Sequence, residues 1–425
     1  MRSKYRFLSF AVLICLPVWI LIVWILGYSF YRIHYQVGFF APNRWRSQPD
    51  WVDVQFVVHD TLHFLRKQVY TGQQKKTDLP QFDLHLSRDD YQLLTRTDHS
   101  FRSQYVRTQL TYGGQSYNVR VRNRGGHFWH YNYPKKSWRI KLLGEEQIEG
   151  YRDFDLIAPK AYPLWEPLLD SWAAKAGVAT FGTRLASLKF NNSDNGLVYF
   201  TPNLNDSLLE RNGLGPGAVF GVDPEVMQFL PQRQYISAAW EDGYKWLVLH
   251  ESRANVSRRA LAELIQDLKL HPREFDKKYY GKGILDGFIR QLAFNSYLGI
   301  FHTSATANVK VHWDEKTGFF TPIAWDYLWP SPFYYLYWAG HPIFAKLLTS
   351  PRFAGDLADR MHWLYQTALP PRWIRPELDR YFRHQVAAFD QLDAHLLREK
   401  RVLEIGRVNR KPCFAISIPV TAKSG

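Results

Sequence analysis

An uncharged run near the start of the chain constrains its architecture more than any other feature. Residues 7–31, FLSFAVLICLPVWILIVWILGYSFY, contain no charged side chain, and about 20 apolar residues suffice to cross a bilayer as one helix. The run is longer than the apolar core of a usual signal peptide, and no small-residue cleavage site follows it. The sequence therefore predicts a transmembrane helix that stays attached to the mature protein.

The basic residues around this run bear on which side of the membrane the rest of the chain lies. They stand on both sides of it: Arg2, Lys4, Arg6, Arg32, Arg44 and Arg46. Although the two sides nearly balance, a short basic tail before a first span favours a cytoplasmic N-terminus under the positive-inside rule. We therefore expect a single-pass protein of the inner (cytoplasmic) membrane, with its main body on the periplasmic or extracellular side.

The composition favours partners that carry negative charge. The chain has 425 residues and a net charge of +15, which suits phospholipid head groups, acidic polysaccharide or nucleotides. It shows no zinc-finger spacing, recognition-helix signature or dense Lys/Arg block, so nucleic acid is not an expected partner. Its cysteines are Cys15 and Cys413, a pair too small for a disulfide framework or a cysteine-based metal site.

Shifts in residue pattern divide the chain into four parts. Residues 1–31 hold a cytoplasmic tail and the membrane helix, and residues 32–80 form a juxtamembrane connector that ends in a polar linker closed by proline. Residues 81–405 form the body, which opens with short alternating strands and continues mainly with amphipathic helices. Residues 406–425 are a C-terminal tail. The body is therefore predicted to be an α+β domain.

A hairpin late in the body brings two oxygen-bearing side chains together. The β-like runs 309–313 and 319–325 are joined by the charged turn 314–318, which ends in glycine. If the runs pair across this turn, Asn308 and Asp326 fall on neighbouring strand ends. Their amide and carboxylate oxygens suit a hard cation such as Mg2+. An Asn at a hairpin mouth is also a common turn residue, and an Asp can cap the following segment.

Basic residues lie on two predicted strands of the body, on either side of an aromatic loop. Arg122 and Arg124 share one face of the first strand, and Lys136 comes just before the second. Nucleotide phosphates require fixed cations on rigid elements, so Arg124 and Lys136 are the favoured phosphate contacts, with Arg122 beside them. The same alternation also describes the solvent-exposed face of an antiparallel sheet, and both interpretations stay open.

These two regions resemble the CotH kinase family of atypical protein kinases. The residues that carry the resemblance are Asn308, Trp325 and Asp326 in the hairpin, and Arg122, Arg124, Gly125, Pro134, Lys135, Lys136, Ser137, Trp138, Arg139 and Lys141 in the strands. The resemblance implies a kinase-like two-lobed α+β fold, with an antiparallel-sheet N-lobe and a mainly helical C-lobe that carries the site hairpin. It also implies Mg2+ and ATP as cofactors, and phosphorylation of protein Ser or Thr as the activity.

The chain departs from the family pattern at positions that would carry the chemistry. Thr303 stands five residues before Asn308, where the family has its catalytic Asp. Asn203 stands near the position of a family Glu, and Leu328 occupies the place of a second acidic residue. His302 precedes Thr303, and its imidazole could act as the general base, since histidine titrates near neutral pH.

Two classes of function therefore stay open. One is a catalytically degraded CotH-like protein that acts as a binding or scaffold component of the cell envelope, and the other is an active, divergent Mg-ATP-dependent protein Ser/Thr kinase. Aromatic strips at residues 128–133 and 332–338 suit sugar or protein recognition, although they also suit packing within the body. We expect the membrane as one partner, through the N-terminal helix, and an anionic polymer or an envelope protein as another.

Overall fold

The computed structural model describes part of the chain: residues 79–95, 104–124, 136–158, 165–222, 240, 246–251, 258–300, 303, 308–327 and 341–381. The predicted membrane helix, nearly all of the connector and the C-terminal tail lie outside these ranges. Within the described ranges, no helix is both long enough and apolar enough to cross a membrane. Sheets and helices occur together in these ranges, which confirms the predicted α+β class.

The strands and helices of the described residues follow one another along the body. The strands are β1 Gln81–His85, β2 Val106–Tyr112, β3 Gln115–Asn123, β4 Trp138–Leu142, β5 Asp153–Ile157, β6 Ala179–Thr180, β7 Arg184–Phe190, β8 Ser193–Pro202, β9 Gly217–Val222, β10 Trp246–Glu251, β11 Lys310–Asp314 and β12 Phe320–Ala324. The helices are α1 Arg88–Thr95, α2 Trp165–Lys175, α3 Asp206–Arg211, α4 Arg259–Asp267, α5 Pro272–Tyr279, α6 Asp286–Leu298, α7 Pro342–Thr349, α8 Pro351–Trp363 and α9 Pro371–Arg380, with a π-helical turn at Leu364–Ala368.

The first strands form a barrel, in the order β1-β2-β3-β4-β5-β8-β7. Its neighbours pair antiparallel except for β1 and β7, which pair parallel and close it. The predicted antiparallel sheet is therefore present, and it is closed rather than open. Phe82, Phe154 and Phe200 fill the interior, with ring centroids 4.8 to 5.7 Å apart. Such contacts favour closure, because aromatic rings bury large apolar areas.

The alternation predicted for the basic strands is present in β3. Val119 and Val121 point into the barrel and are fully buried, whereas Arg120 between them is exposed and Arg122 is half-buried. Successive side chains of a strand point to opposite faces, so an apolar-polar alternation places one set in the core and the other outside. The basic residues of β3 therefore lie on the outer face of the barrel.

A second sheet lies between the barrel and the helices. Its strand order is β10-β9-β11-β12-β6, and the predicted hairpin is its β11–β12 pair. Along β9, Val219 belongs to the hydrophobic cluster of the barrel, whereas its neighbours Ala218 and Phe220 belong to the cluster formed with the helices. The sheet therefore contributes one face to each core.

Helix α6 sets the position of the hairpin. Gly287 lies so close to β12 that a Cβ atom there would be 2.9 Å from Thr321 Cα, so a larger residue would push the two elements apart. The helix ends at Gly299, whose φ of 71° is a left-handed conformation that glycine adopts without strain.

Candidate functional site

The mouth of the hairpin places the two predicted metal ligands side by side. Strands β11 and β12 pair antiparallel with Val311 opposite Pro322. Beyond the last ladder pair, the indole Nε1–H of Trp325 donates to the backbone oxygen of Asn308 at 2.7 Å. Asn308 and Asp326 therefore stand at the same end of the hairpin, where turn pairing predicts them. Their role as ligands remains a prediction.

Asp326 has an unusual backbone that is held from outside the hairpin. Its φ is 55°, which lies in the left-handed region. Its N–H donates to Glu166 Oε1 at 2.7 Å, and the N–H of Tyr327 donates to Glu166 Oε2 at 2.6 Å. Glu166 belongs to the first turn of α2, 160 residues earlier in the chain. A single carboxylate thus receives two successive backbone N–H groups at the predicted metal ligand.

Asp326 also lies where the two cores meet. Trp325 packs against the cluster of the barrel, whereas Tyr327 is buried in the cluster formed with the helices. The residue between them therefore lies at the boundary of the two cores. Ligand sites form preferentially at such boundaries between packed units.

Two cations approach the site from different elements. The Nζ of Lys310, the first residue of β11, lies 3.8 Å from the ring centroid of Trp325. Removal from water lowers the pKa of Lys310 to about 7; the Asp326 carboxylate opposes this shift and the positive charge of Arg124 adds to it. Arg124, from the barrel, and Lys310, from the hairpin, therefore act on the same region as Asp326.

Arg124 is fixed by a buried ion pair inside the barrel wall. Its Nε donates to Asp155 Oδ2 at 2.7 Å. Arg139 donates to the same carboxylate twice, through Nε at 2.8 Å and Nη2 at 3.0 Å. Burial alone would raise the pKa of Asp155, but the charge of Arg124 and the bonds to Arg139 lower it below its usual range. Arg139 is thus tied mainly to Asp155.

The remaining predicted phosphate contacts have different surroundings. The guanidinium of Arg122 lies 5.3 Å from the ring centroid of Tyr105, and its Nη1 donates to the backbone oxygen of Asn123 at 3.2 Å. Lys136 is buried just before β4, next to Ser137, whose backbone oxygen accepts the N–H of Arg124 at 2.8 Å. The backbone bond to Arg124 is thus made by Ser137, the neighbour of Lys136, and the guanidinium of Arg122 lies against an aromatic ring.

Thr303, where the family resemblance leads us to expect a catalytic Asp, is turned into the core. It is 1% exposed. The side-chain amide of Asn295 donates to its Oγ1 at 3.3 Å, and that of Gln291 does so at 3.5 Å. Both amides come from α6. His302, the predicted general base, lies outside the described residues.

Asn203, where the family resemblance leads us to expect a nearby Glu, belongs to the barrel network. Its Oδ1 accepts from Arg139 Nη2 at 3.1 Å, and its amide donates to Asp153. The Nζ of Lys141 lies 3.1 Å from the same Asp153 carboxylate. Asn203 is therefore joined to the ion pair of Asp155 and Arg124 through Arg139, which donates to both Asn203 and Asp155.

Sequence reasoning missed three residues of this region. Asp155 neutralises Arg124, Glu166 holds the backbone of Asp326, and Lys310 brings a cation to the hairpin mouth. The sequence carried one signal for Glu166. Glu166 and Asp170 lie four residues apart, and therefore on one face, in a helix whose other positions are largely apolar. Burial raises the pKa of Asp170 to about 7. Removal from water and the negative charges of Asp326 and Asp170 raise the pKa of Glu166 well above its usual range.

Comparison with known proteins assigns the family. The CotH kinase protein family matches residues 121–389, which is more than half of the chain. The chain therefore belongs to the CotH kinase family, as the resemblance of its strands and hairpin indicates. No curated protein matches it. Among the described residues, no three His, Cys, Asp or Glu side chains are grouped so that they could hold a metal ion by themselves.

Proposed function

We propose that this CotH family member is a membrane-anchored binding or scaffold component of the cell envelope, with a kinase-like two-lobed body that no longer transfers phosphoryl groups efficiently. The observation that carries the proposal is the burial of Thr303 beneath the amides of Gln291 and Asn295. Phosphoryl transfer to a Ser or Thr hydroxyl uses a positioned carboxylate to accept the hydroxyl proton. A threonine hydroxyl is not a base at neutral pH, so this position cannot take that role.

The ligand part of the site remains suited to a phosphate-bearing anion. Lys310 and Arg124 act electrostatically on the region of Asp326, and each comes from a strand or its end. Mg2+ is usually held by one or two carboxylates together with substrate phosphates rather than by a full protein cage. Asp326 and Asn308 offer hard oxygen donors of this kind, so the residues fit the ion. When bound, Mg2+ would neutralise phosphate charge at the hairpin mouth.

The proposed cellular setting rests on the sequence outside the described residues. A basic chain with net charge +15 behind one membrane helix is attracted to anionic surfaces. If the body lies outside the cytoplasmic membrane, ATP is scarce there and an anionic polymer or an envelope protein is the more available partner. Retained anion binding without transfer is consistent with both partners.

The proposal is tested on the full chain in detergent. We expect added Mg-ATP at millimolar concentration to raise the unfolding temperature, because a ligand that binds only the native state stabilises it. The shift is expected to require Mg2+ and to disappear in Asp326→Ala. Transfer of labelled phosphate to a generic Ser/Thr protein substrate is expected to be at background. Robust transfer by the wild-type chain would overturn the proposal, and so would a shift that Asp326→Ala retains.

Thr303→Asp sharpens this test. The two amides of α6 that donate to the threonine hydroxyl could equally donate to a carboxylate at the same position. We therefore expect the variant to fold and to gain measurable phosphotransfer, whereas the matched variant Thr303→Asn stays inactive. An inactive Thr303→Asp that still binds Mg-ATP would show that the loss of this carboxylate is not what limits transfer.

The second candidate, an active divergent kinase, is favoured by the cluster of Lys310, Arg124 and Asp326. Phosphoryl transfer needs positive charge near the phosphates and a carboxylate that holds the metal ion, and this cluster offers both. In this case His302 would serve as the base. The wild-type chain would then phosphorylate protein, and His302→Gln would lower the rate while leaving Mg-ATP affinity unchanged. Equal rates for wild type and His302→Gln would exclude that role for His302.

A further inference from the structure

Glu166 makes contacts at the site that the family resemblance did not assign. Its two carboxylate oxygens receive the N–H groups of Asp326 and Tyr327 at 2.7 and 2.6 Å. Both bonds are at the short end of the range for a backbone N–H donor. They come from a different element, α2, and one of them ends on Asp326, whose backbone is left-handed.

We propose that Glu166 is the positioning residue of this site: its carboxylate fixes the backbone of Asp326 and Tyr327, and thereby sets where the Asp326 side chain stands for a bound cation. This inference rests on the proposed function, in which Asp326 holds Mg2+. A non-glycine residue in the left-handed region costs free energy and persists when its surroundings impose it. The pair of bonds from Glu166 supplies that constraint from outside the hairpin.

The position of Glu166 is itself fixed by the rest of α2. One turn later, the Oδ2 of Asp170 accepts the N–H of Thr183 at 2.8 Å, at the start of the barrel strand β7. The apolar side of the helix, including Leu168, Leu169 and Trp172, is buried in the cluster formed with the helices. Helix α2 therefore bonds to the barrel through one acid and to the hairpin mouth through the other. A ligating carboxylate needs such outer support to keep its geometry.

Glu166→Gln tests this role, because a glutamine has one acceptor oxygen and one N–H donor in place of two acceptors. One of the two backbone N–H groups therefore loses its partner. We expect hydrogen exchange of the Asp326 and Tyr327 amides to accelerate by about tenfold or more, since their protection depends on these bonds. We also expect the affinity for Mg2+, measured by titration in the presence of ATP, to fall by about 10- to 100-fold, as is typical for loss of an outer-shell partner.

Asp170→Asn is the matched control. It removes one carboxylate charge from the same helix, but the asparagine oxygen can still accept the Thr183 N–H, and both bonds of Glu166 remain. We expect exchange at Asp326 and Tyr327 and the Mg2+ affinity to stay within about threefold of wild type, a change of less than 1 kcal/mol. If Asp170→Asn reproduced the effect of Glu166→Gln, the effect would arise from charge and the positioning role would be overturned.

The two readouts separate this inference from the proposed function. Failure of the wild-type chain to bind Mg-ATP would overturn the proposed function and with it the cation role of Asp326, while amide exchange would still report whether Glu166 holds the backbone. Faster exchange with unchanged Mg2+ affinity would make Glu166 merely structural and overturn the positioning role. If Glu166→Gln fails to fold, Glu166→Asp, which is shorter by one methylene, is expected to give the same two effects; unchanged exchange in that variant would also overturn the inference.

Discussion

Asp155 in the barrel and Glu166 at the start of α2 are both carboxylates removed from water, and the structure holds them by opposite means. Asp155 accepts N–H groups from Arg124 and Arg139, so cations surround its charge. Glu166 accepts two backbone N–H groups, and its charged neighbours Asp326 and Asp170 carry the same sign as itself. The pKa of Asp155 is accordingly lowered and that of Glu166 is raised.

The two carboxylates therefore differ in how their charge is balanced: arginines of the protein balance Asp155, whereas Glu166 has no such cations bonded to it among the described residues. The network around Asp155 is nearly balanced and stabilises the barrel wall on its own. In the part of the chain that the structure describes, the acids around Glu166 have no such set of cations: removal from water and the charges of Asp326 and Asp170 raise the pKa of Glu166, and the pKa of the nearby Lys310 is lowered to about 7. A bound cation would be attracted to these acids, and perturbed pKa values of this kind are concentrated at functional sites. Under the proposed function, we therefore expect the ligand at the hairpin mouth rather than on the barrel strands.

The largest effect expected is from Asp155→Ala. The change leaves Arg124 and Arg139 partly buried without a counter-charge, and breaking a buried ion pair from one side costs about 3–5 kcal/mol. Chemical unfolding should show this loss of stability. Glu145→Ala is the control, because Glu145 pairs with Arg152 at the surface and is 94% exposed, so little change is expected there. A loss for Asp155→Ala no larger than for Glu145→Ala would remove the contrast between the two carboxylates.

The pH dependence of stability should run in opposite directions for the two regions. The folded pKa of Asp170 is raised to about 7, so the folded state keeps a proton that the unfolded state releases, and stability falls as pH rises from about 4 to 7 at up to about 1.4 kcal/mol per unit. Asp155, with its lowered folded pKa, contributes stability that is lost only as pH falls below about 4.

Asp170→Asn tests the fall in stability between pH 4 and 7 that is assigned to Asp170. The variant cannot ionise at this position, so its stability relative to wild type should increase from pH 4 to 7 and then level off, with a total gain of about 2 kcal/mol after partial relaxation of the buried charge. Unfolding curves at several pH values measure the difference. A difference that does not vary with pH would mean that Asp170 ionises normally in the folded protein.

Lys310→Met should weaken ligand binding without disturbing the hairpin. Methionine keeps an unbranched side chain against the Trp325 ring but removes the cation, and a charged hydrogen bond contributes about 1.5–3 kcal/mol. We expect the dissociation constant for Mg-ATP to rise by about tenfold or more in calorimetric titration. Lys316→Met, in the exposed turn of the same hairpin, is the control for general loss of positive charge. Equal losses for the two variants would point to nonspecific attraction.

Arg122→Ala should have the smallest effect. Arg122 contacts the ring of Tyr105 on the outer face of the barrel, and a cation–π contact that is not fully desolvated contributes about 0.5–1 kcal/mol. We therefore expect a slight loss of stability and an affinity for Mg-ATP within about threefold of wild type. A loss of affinity comparable to that of Lys310→Met would restore Arg122 to the phosphate contacts predicted from sequence.

The features that sequence reasoning predicted well are those with local signals. The hairpin of β11 and β12 has a glycine-ended turn and alternating strands, so the placement of Asn308 and Asp326 at one end follows from residues close in the chain. The alternation of β3 likewise predicted which of its residues face outward. Family membership followed from strings in these same two regions.

The features that it missed join distant segments. The closing pair of the barrel sets β1 beside β7, Asp155 meets Arg124 across 31 residues, and Glu166 meets Asp326 across 160. No periodicity records such contacts, because they arise when separately formed elements pack. Lys310 was overlooked for a related reason: its removal from water depends on neighbours that include Arg124 in the barrel.

The left-handed backbone at Asp326 also bears on how this position can change over generations. Glycine, asparagine and aspartate tolerate that conformation, whereas β-branched residues do so poorly. A single-base change converts an aspartate codon to one for asparagine or glycine. Either substitution at Asp326 would keep the backbone conformation and remove the carboxylate. If Asp326 holds a cation as proposed, one such change would remove the ligand and keep the fold, so the residue at position 326 is expected to separate relatives that bind a metal from those that do not.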